Sequence, residues 1–306
     1  MRLVFAGTPQ VAADTLAQLL NHPRHEVVAV LTRPDAPQGR SSRLVPSPVA
    51  QRAADHGIEV LRPQRASDPA LAARLAELAP QCCPVVAYGG LIPTALLSLP
   101  THGWVNVHFS LLPRWRGAAP VQQAILAGDE VSGVTVFELV TALDAGPVLA
   151  QREYRFGELE TSGEALSALQ RLGADTLLST LDAIEDATAT VTPQPTEGVT
   201  VAGKLTVEHA RIDWTRPAVE LQRHIRAHNP SPMAWTTWAG ERFRVLLARC
   251  LPEASLEPGV VRVEKRRTVV GTGAGDLELL QVQPAGRKPL AGADWGRGLR
   301  TAGAFE

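Results

Sequence analysis

No apolar run in this chain approaches the roughly 20 residues that a membrane-spanning helix needs. The opening Leu3–Gly7 stretch is too short for a signal peptide and ends at Gly7-Thr8-Pro9, so the cytoplasm is the expected location. Cysteine is scarce, with Cys82, Cys83 and Cys250 only. Three thiols make no disulfide framework, and their spacing is not that of metal ligands. The turn after the first apolar stretch reads Gly7-Thr8-Pro9-Gln10, with proline where a dinucleotide fold needs a second glycine. A phosphate-binding P-loop and the glycine-flanked serine of a hydrolase elbow are also missing.

What is present is ordinary for a globular protein: 45% hydrophobic and 20% charged residues in 306, a length that favours two domains. The net charge of −1 conceals a division. Residues 204–306 carry 16 Lys/Arg against 11 Asp/Glu, whereas the first 203 residues are net acidic. A basic domain after an acidic one points to an anionic partner, with chance surface composition as the other reading.

Short apolar segments alternate with helical periodicity through the first part. Strands are expected at Arg2–Ala6, Glu26–Thr32, Ile58–Leu61, Val85–Tyr88 and Trp104–His108. Helices are expected at Val11–Leu20, Val49–His56, Pro69–Leu78, Ala118–Ala127 and Gly163–Ile184, and a strand pair flanks the Asp144-Ala145-Gly146 turn. This pattern predicts an α/β fold, a doubly wound and mostly parallel Rossmann-like sheet, over 1–188. A Thr- and Pro-rich linker follows over 189–203. Residues 204–306 show short strands split by Gly, Pro and charged turns, which predicts a small OB-like β-barrel. Arg33–Pro48, with several prolines and arginines, is long for an α/β loop.

The segment Val105–Pro120, VNVHFSLLPRWRGAAP, carries the chemistry. In a strand Asn106 and His108 share a face, as two groups polarising one carbonyl must. A polar strand end with a core histidine is the alternative. Ser110 suits a hydrogen bond to the turn better than nucleophilic attack.

FAGTP (Phe5–Pro9), PSPV (Pro46–Val49), VVAYGGLIP (Val85–Pro93), NVHFSLLPRWRGAAP (Asn106–Pro120) and LDAGPVL (Leu143–Leu149) stand in the order and spacing of the folate-dependent formyltransferases. The resemblance extends to KLTVEHARIDW (Lys204–Trp214) and IRAHNPSPMAW (Ile225–Trp235). It implies transfer of the formyl group of 10-formyltetrahydrofolate to the α-amine of initiator methionyl-tRNA, by a monomer without a metal. It implies catalysis by Asn106, His108 and Asp144. Beside His108, Asp144 is expected to raise the imidazole pKa and favour imidazolium. Folate is expected against Val86, Ala87, Tyr88, Gly89, Gly90 and Leu91, against Ser110, Leu111, Leu112 and Pro113, and against Val140 and Leu143. Arg40, then Arg43, and Lys204 are expected on the tRNA. Rival readings are a formyltransferase acting on a small amine (an amino sugar nucleotide or glycinamide ribonucleotide) and a non-catalytic tRNA-binding relative. Phe109 departs from the family's usual small residue and is expected to narrow the room beside His108 or bend the strand.

Overall fold

A computed structural model describes residues 1–37, 43–252, 254–299, 301 and 303–306. Its contacts divide the chain into two units. The first comprises Met1–Gly117, Ser132–Tyr154 and Ser167–Val201; the second comprises Ala118–Val131, Arg155–Leu166 and Ala202–Glu306. Residues 189–201, read from composition as a linker, therefore group with the first unit.

In the first unit β1 (Arg2–Gly7) is apolar after its first residue and is buried from Leu3 onward, which is what a central strand covered on both faces requires. It pairs in parallel with β2 (Glu26–Leu31) on one side and with β4 (Cys83–Val86) on the other. β3 (Glu59–Leu61) extends the sheet beyond β2. β5 (Trp104–His108) lies parallel to β4, and β6 (Val131–Glu138) runs antiparallel to β5. With β7 (Val148–Arg155) at the edge, the strand order is β7-β6-β5-β4-β1-β2-β3. The chain reverses its direction of travel across the sheet between β1 and β4, which is where a doubly wound fold opens its ligand crevice.

Helices α1 (Gln10–Leu20), α2 (Pro48–Asp55) and α3 (Pro69–Leu78) alternate with these strands. Two of them begin on proline, whose missing N–H is unneeded in a first turn. Ser47 caps α2 by accepting the Ala50 N–H at 3.0 Å, and Asp68 caps α3 through the Ala70 N–H. One core cluster joins Val4, Leu31, Leu75, Val85, Tyr88 and Trp104. Each large apolar side chain so buried contributes roughly 1.5–3 kcal/mol.

The long α5 (Ser162–Glu185) buries Leu169, Leu177 and Leu181 at four-residue spacing. Gly173 occupies the vacant step of that row. A Cβ there would lie 2.9 Å from Val107 Cγ1 and 3.3 Å from the Phe109 ring. The expectation that Phe109 crowds His108 is corrected here: its ring is buried against the α5 glycine, which supplies the room for a large side chain.

The second unit contains α4 (Pro120–Ala127) packed on α6 (Ala218–His228). An antiparallel sheet follows: β8 (Trp235–Trp238), β9 (Glu241–Leu251), β10 (Val260–Val263), β11 (Thr268–Gly271), β12 (Asp276–Gln283) and β13 (Gly303–Ala304). Their order, β8-β9-β12-β11-β10-β13, makes a nearly closed barrel. Its core stacks Trp214, Phe243, Trp295 and Phe305, with ring centroids 4.6–5.6 Å apart among these.

Because the space at Gly173 is already filled by Val107 and Phe109, Gly173→Ala is expected to destabilise the chain by about 1–3 kcal/mol through overpacking. Thermal unfolding should show a lowered Tm, and a smaller loss for Gly173→Ala in a Val107→Ala background than in the wild type would confirm the steric cause.

Candidate active site

The site forms where the carboxyl ends of β4 and β5 meet the loop after β6. Along β5 alternate residues share a face, so Asn106 and His108 point the same way. Asn106 is half-buried and His108 is buried. The imidazole stands edge-on to Phe137, at 6.4 Å between centroids. Its Nε2 lies 2.7 Å from the Trp115 carbonyl oxygen. A carbonyl can only accept, so Nε2 carries a proton and donates. In the neutral ring the lone pair is therefore at Nδ1, and Nδ1 faces Asp144 Oδ2 at 3.9 Å.

Burial pushes the His108 pKa below its ordinary value, and this outweighs the opposing pull of Asp144 and of the Trp115 hydrogen bond. The sequence-based expectation of a raised pKa and a resting imidazolium is thereby corrected. Asp144 does favour the charged ring, but an apolar enclosure dominates.

The turn from Leu112 to Gly117 clasps both groups. Gly117 N–H donates to Asp144 Oδ2 at 2.7 Å while the Trp115 carbonyl holds His108. Trp115 sits at φ 61°, a left-handed conformation costing a tryptophan roughly 1–3 kcal/mol. Other contacts fix it there. The Trp115 N–H donates to Thr200 Oγ1 at 2.8 Å, and Ser110 Oγ donates to the Arg114 carbonyl at 2.6 Å. Arg116 reaches Gln194 Oε1 at 2.6 Å, and Gln194 Nε2 donates to the carbonyls of Asp144 and Gly146. Asp144 is itself left-handed at φ 46°, and a Cβ at Gly146 would strike the Glu138 carbonyl.

Thr135 stands directly opposite His108 in the β5–β6 ladder. Its hydroxyl donates to the Ser110 carbonyl and accepts from Leu112 N–H and from Gln151. Sequence reading missed Thr135, Gln151, Gln194 and Thr200. The last two lie in a Thr/Pro-rich stretch whose composition resembles a spacer, and only the alternation of β6 around Thr135 offered any signal.

On the β4 side, Val86 and Tyr88 are buried, and Ala87 and Gly89 take left-handed φ values of 46° and 78°. Thr8 Oγ1 donates to the Tyr88 carbonyl and Arg33 Nη1 to that of Gly89, which ties the loops after β1 and β2 to this turn. Gly90 is exposed, as is Leu91 at 82%, with Leu143 at 58% and Val140 at 41%. Leu112 is buried; Leu111 and Pro113 are half-buried. Bare aliphatic side chains beside backbone polar groups fit a flat ligand with apolar faces and a polar edge. Arg43 and Lys204 are exposed; Arg40 lies outside the described residues. His22, His25 and Asp182 are the group nearest to a metal-ligand set among the described residues. Arg24 Nε, 3.5 Å from Asp182, and the Met1 ammonium, 3.2 Å from His25 Nδ1, already supply the positive charge there.

Two family descriptions match the chain: Formyl transferase over residues 1–181, and Formyl transferase, C-terminal domain, over 204–300. A methionyl-tRNA formyltransferase of Streptomyces coelicolor is 53% identical over 301 residues, covering 98% of this chain and 97% of its own. One from Thermobifida fusca is 52% identical with the same coverage. Among solved structures, the sugar 3N-formyl transferase WlaRD superposes with a TM-score of 0.69 at 15% identity, covering 94% of this chain and 99% of that one. An N-formyltransferase from Helicobacter canadensis gives 0.69 at 17%, covering 92% and 98%. At such identities the two structures show a shared fold.

Since Asp144 raises the His108 pKa against the effect of burial, Asp144→Asn is expected to lower that pKa further. An NMR titration of the His108 ring should show its midpoint moving to lower pH; an upward move would contradict the electrostatic account.

Proposed function

The chain belongs to the formyl transferase family, and from this we propose that it moves the formyl group of 10-formyltetrahydrofolate onto the α-amine of initiator methionyl-tRNA. The observation that carries the site assignment is the His108–Asp144 pair held by a strained turn at the carboxyl end of β5. Full-length identity to methionyl-tRNA formyltransferases supports the substrate. The basic C-terminal part supports it as well.

When bound, 10-formyltetrahydrofolate supplies an activated formyl carbon attached to a nitrogen leaving group. We assign its ring system to the turn Val86–Leu91, to Leu111–Pro113 and to the exposed Val140 and Leu143. Asn106 directs its amide N–H at the position where negative charge develops on the formyl oxygen. One such donor is typically worth about 10²–10³ in rate. His108, neutral at rest, takes at Nδ1 the proton shed by the attacking amine. The Trp115 carbonyl keeps the other proton on Nε2 and so leaves Nδ1 as the basic atom. Asp144 stabilises the imidazolium once it forms, and Nδ1–H then returns the proton to the folate nitrogen as its bond to the formyl carbon breaks. A neutral base at neutral pH suits this order of events better than a ring already charged.

By function we divide the chain into a catalytic and folate-binding part, residues 1–188, a connection over 189–203, and a tRNA-binding barrel from Lys204 to Glu306. Arg40 and Arg43 in the loop after β2, together with Lys204, supply phosphate contacts. The reaction is assigned to the cytoplasm and to a monomer.

His108→Ala and Asp144→Ala should each reduce formyl transfer to methionyl-tRNA by about 10²–10⁴-fold with the fold retained. Arg40→Ala should mainly raise the KM for tRNA. Transfer to a free amino sugar nucleotide but not to methionyl-tRNA would refute the substrate assignment. Near-normal turnover of Asp144→Ala would refute its role.

A further inference from the structure

Residues 191–200 are exposed, as those of a spacer would be, except at Gln194 and Thr200. The stretch is nonetheless stitched down at both ends. Thr192 and Val148 exchange backbone hydrogen bonds at 2.7 and 2.8 Å, and Arg116 N–H donates to the Thr200 carbonyl at 2.9 Å. Gln194 is held between these ties, with its amide on the loop that carries Asp144.

That loop has little else to fix it. Val140, Thr141, Ala142 and Leu143 are exposed, and the backbone bond from Ala145 N–H to the Ala142 carbonyl is long at 3.4 Å. Asp144 sits at φ 46°, which a residue other than glycine keeps only when its surroundings enforce it. Among the described residues the carbonyls of Asp144 and Gly146 share one donor, Gln194 Nε2, at 2.9 and 2.8 Å. On the other side of the amide, Gln194 Oε1 accepts from Arg116 Nε at 3.2 Å and from Nη2 at 2.6 Å. Both N–H donors and both lone pairs of the amide are thus in use. A guanidinium only donates, so Arg116 dictates which end of the amide faces the loop.

No carboxylate could do the same work. Glutamate would satisfy Arg116 but set its second oxygen against two carbonyls. Arg116 also follows Trp115, whose carbonyl holds His108. One amide therefore ties the turn that orients the imidazole to the loop that carries the carboxylate. Asp144 Oδ2 stands 3.9 Å from His108 Nδ1, beyond hydrogen-bond reach, so no bond of their own fixes the separation. It is set by where the loop is held.

We propose that Gln194 is a positioning residue for formyl transfer: its amide, oriented by Arg116, sets how near the Asp144 carboxylate lies to His108 Nδ1. This rests on the formyl-transfer reading above and adds a residue that acts on the rate through Asp144 without touching substrate.

The test uses full-length Gln194→Met, which keeps the length of the side chain and removes its hydrogen bonds, alone and in an Asp144→Asn background. Each protein is checked by thermal unfolding. Gln194→Met should lower kcat about 10- to 100-fold, the scale of a misplacement near 1 Å. The KM for methionyl-tRNA should stay within about twofold, since no uniform binding contact is lost. In an NMR titration the His108 midpoint should move to lower pH, towards that of Asp144→Asn, because a more distant carboxylate favours the imidazolium less. With Asp144→Asn already present, Gln194→Met should add little further loss in kcat and no further move of the midpoint. Should Gln194→Met be poorly folded, Gln194→Asn, which keeps the amide but falls one methylene short of the loop, is put through the same measurements. An unmoved His108 midpoint, or losses in kcat that simply multiply in the double variant, would overturn the assignment and leave a merely structural glutamine. A wild-type protein that does not formylate methionyl-tRNA would sink the functional reading, while the titration would still decide whether Gln194 places Asp144, since it needs no turnover.

Discussion

The hydrogen bond from His108 Nε2 to the Trp115 carbonyl is the constraint on which the rest of the site depends. It decides which imidazole nitrogen carries a proton, and so which one is basic. It also requires the backbone at Trp115 to stay in a conformation that a bulky residue avoids. The neighbouring contacts read as the means of holding that conformation. Thr200 takes the Trp115 N–H, Ser110 takes the Arg114 carbonyl, and Gly117 spends its N–H on Asp144. One short turn thus orients both the imidazole and the carboxylate.

Electrostatically the pair is a contest between enclosure and charge. His108 is buried, and desolvation of its cation outweighs an aspartate 3.9 Å away. The carboxylate is in turn engaged by a backbone N–H, which ties up part of its capacity. A ring that is neutral at rest follows from those two facts. The arrangement keeps a basic nitrogen available without exposing it to solvent.

Much of this was legible in residue order. The apolar strands and the helical periodicity of the first part gave the parallel sheet, because a strand buried on both faces leaves a continuous hydrophobic signature. Asn106 and His108 stood out through the two-residue period of a strand. The contacts made by backbone atoms were not legible: a carbonyl on His108 or an N–H on Asp144 leaves no mark on side-chain identity. Gln194 and Thr200 were hidden for a different reason. Their segment has the Thr and Pro content of a spacer, and its role becomes visible only when the hydrogen bonds of the facing loop are counted. Phe109 looked like an intrusion because the glycine that accommodates it lies 64 positions later in the chain, on α5.

Gln194 has a consequence for anyone who recombines or rebuilds proteins of this kind. Its amide bridges the carbonyls of Asp144 and Gly146, so the stretch between the last long helix of the first part and the barrel is a fixed-length brace. Grafting a new C-terminal module by cutting within 189–201, or lengthening that stretch with flexible residues, would loosen the loop that carries Asp144. A C-terminal graft must therefore leave 189–201 intact, and because the second unit also takes in Ala118–Val131 and Arg155–Leu166, it must carry those segments with it.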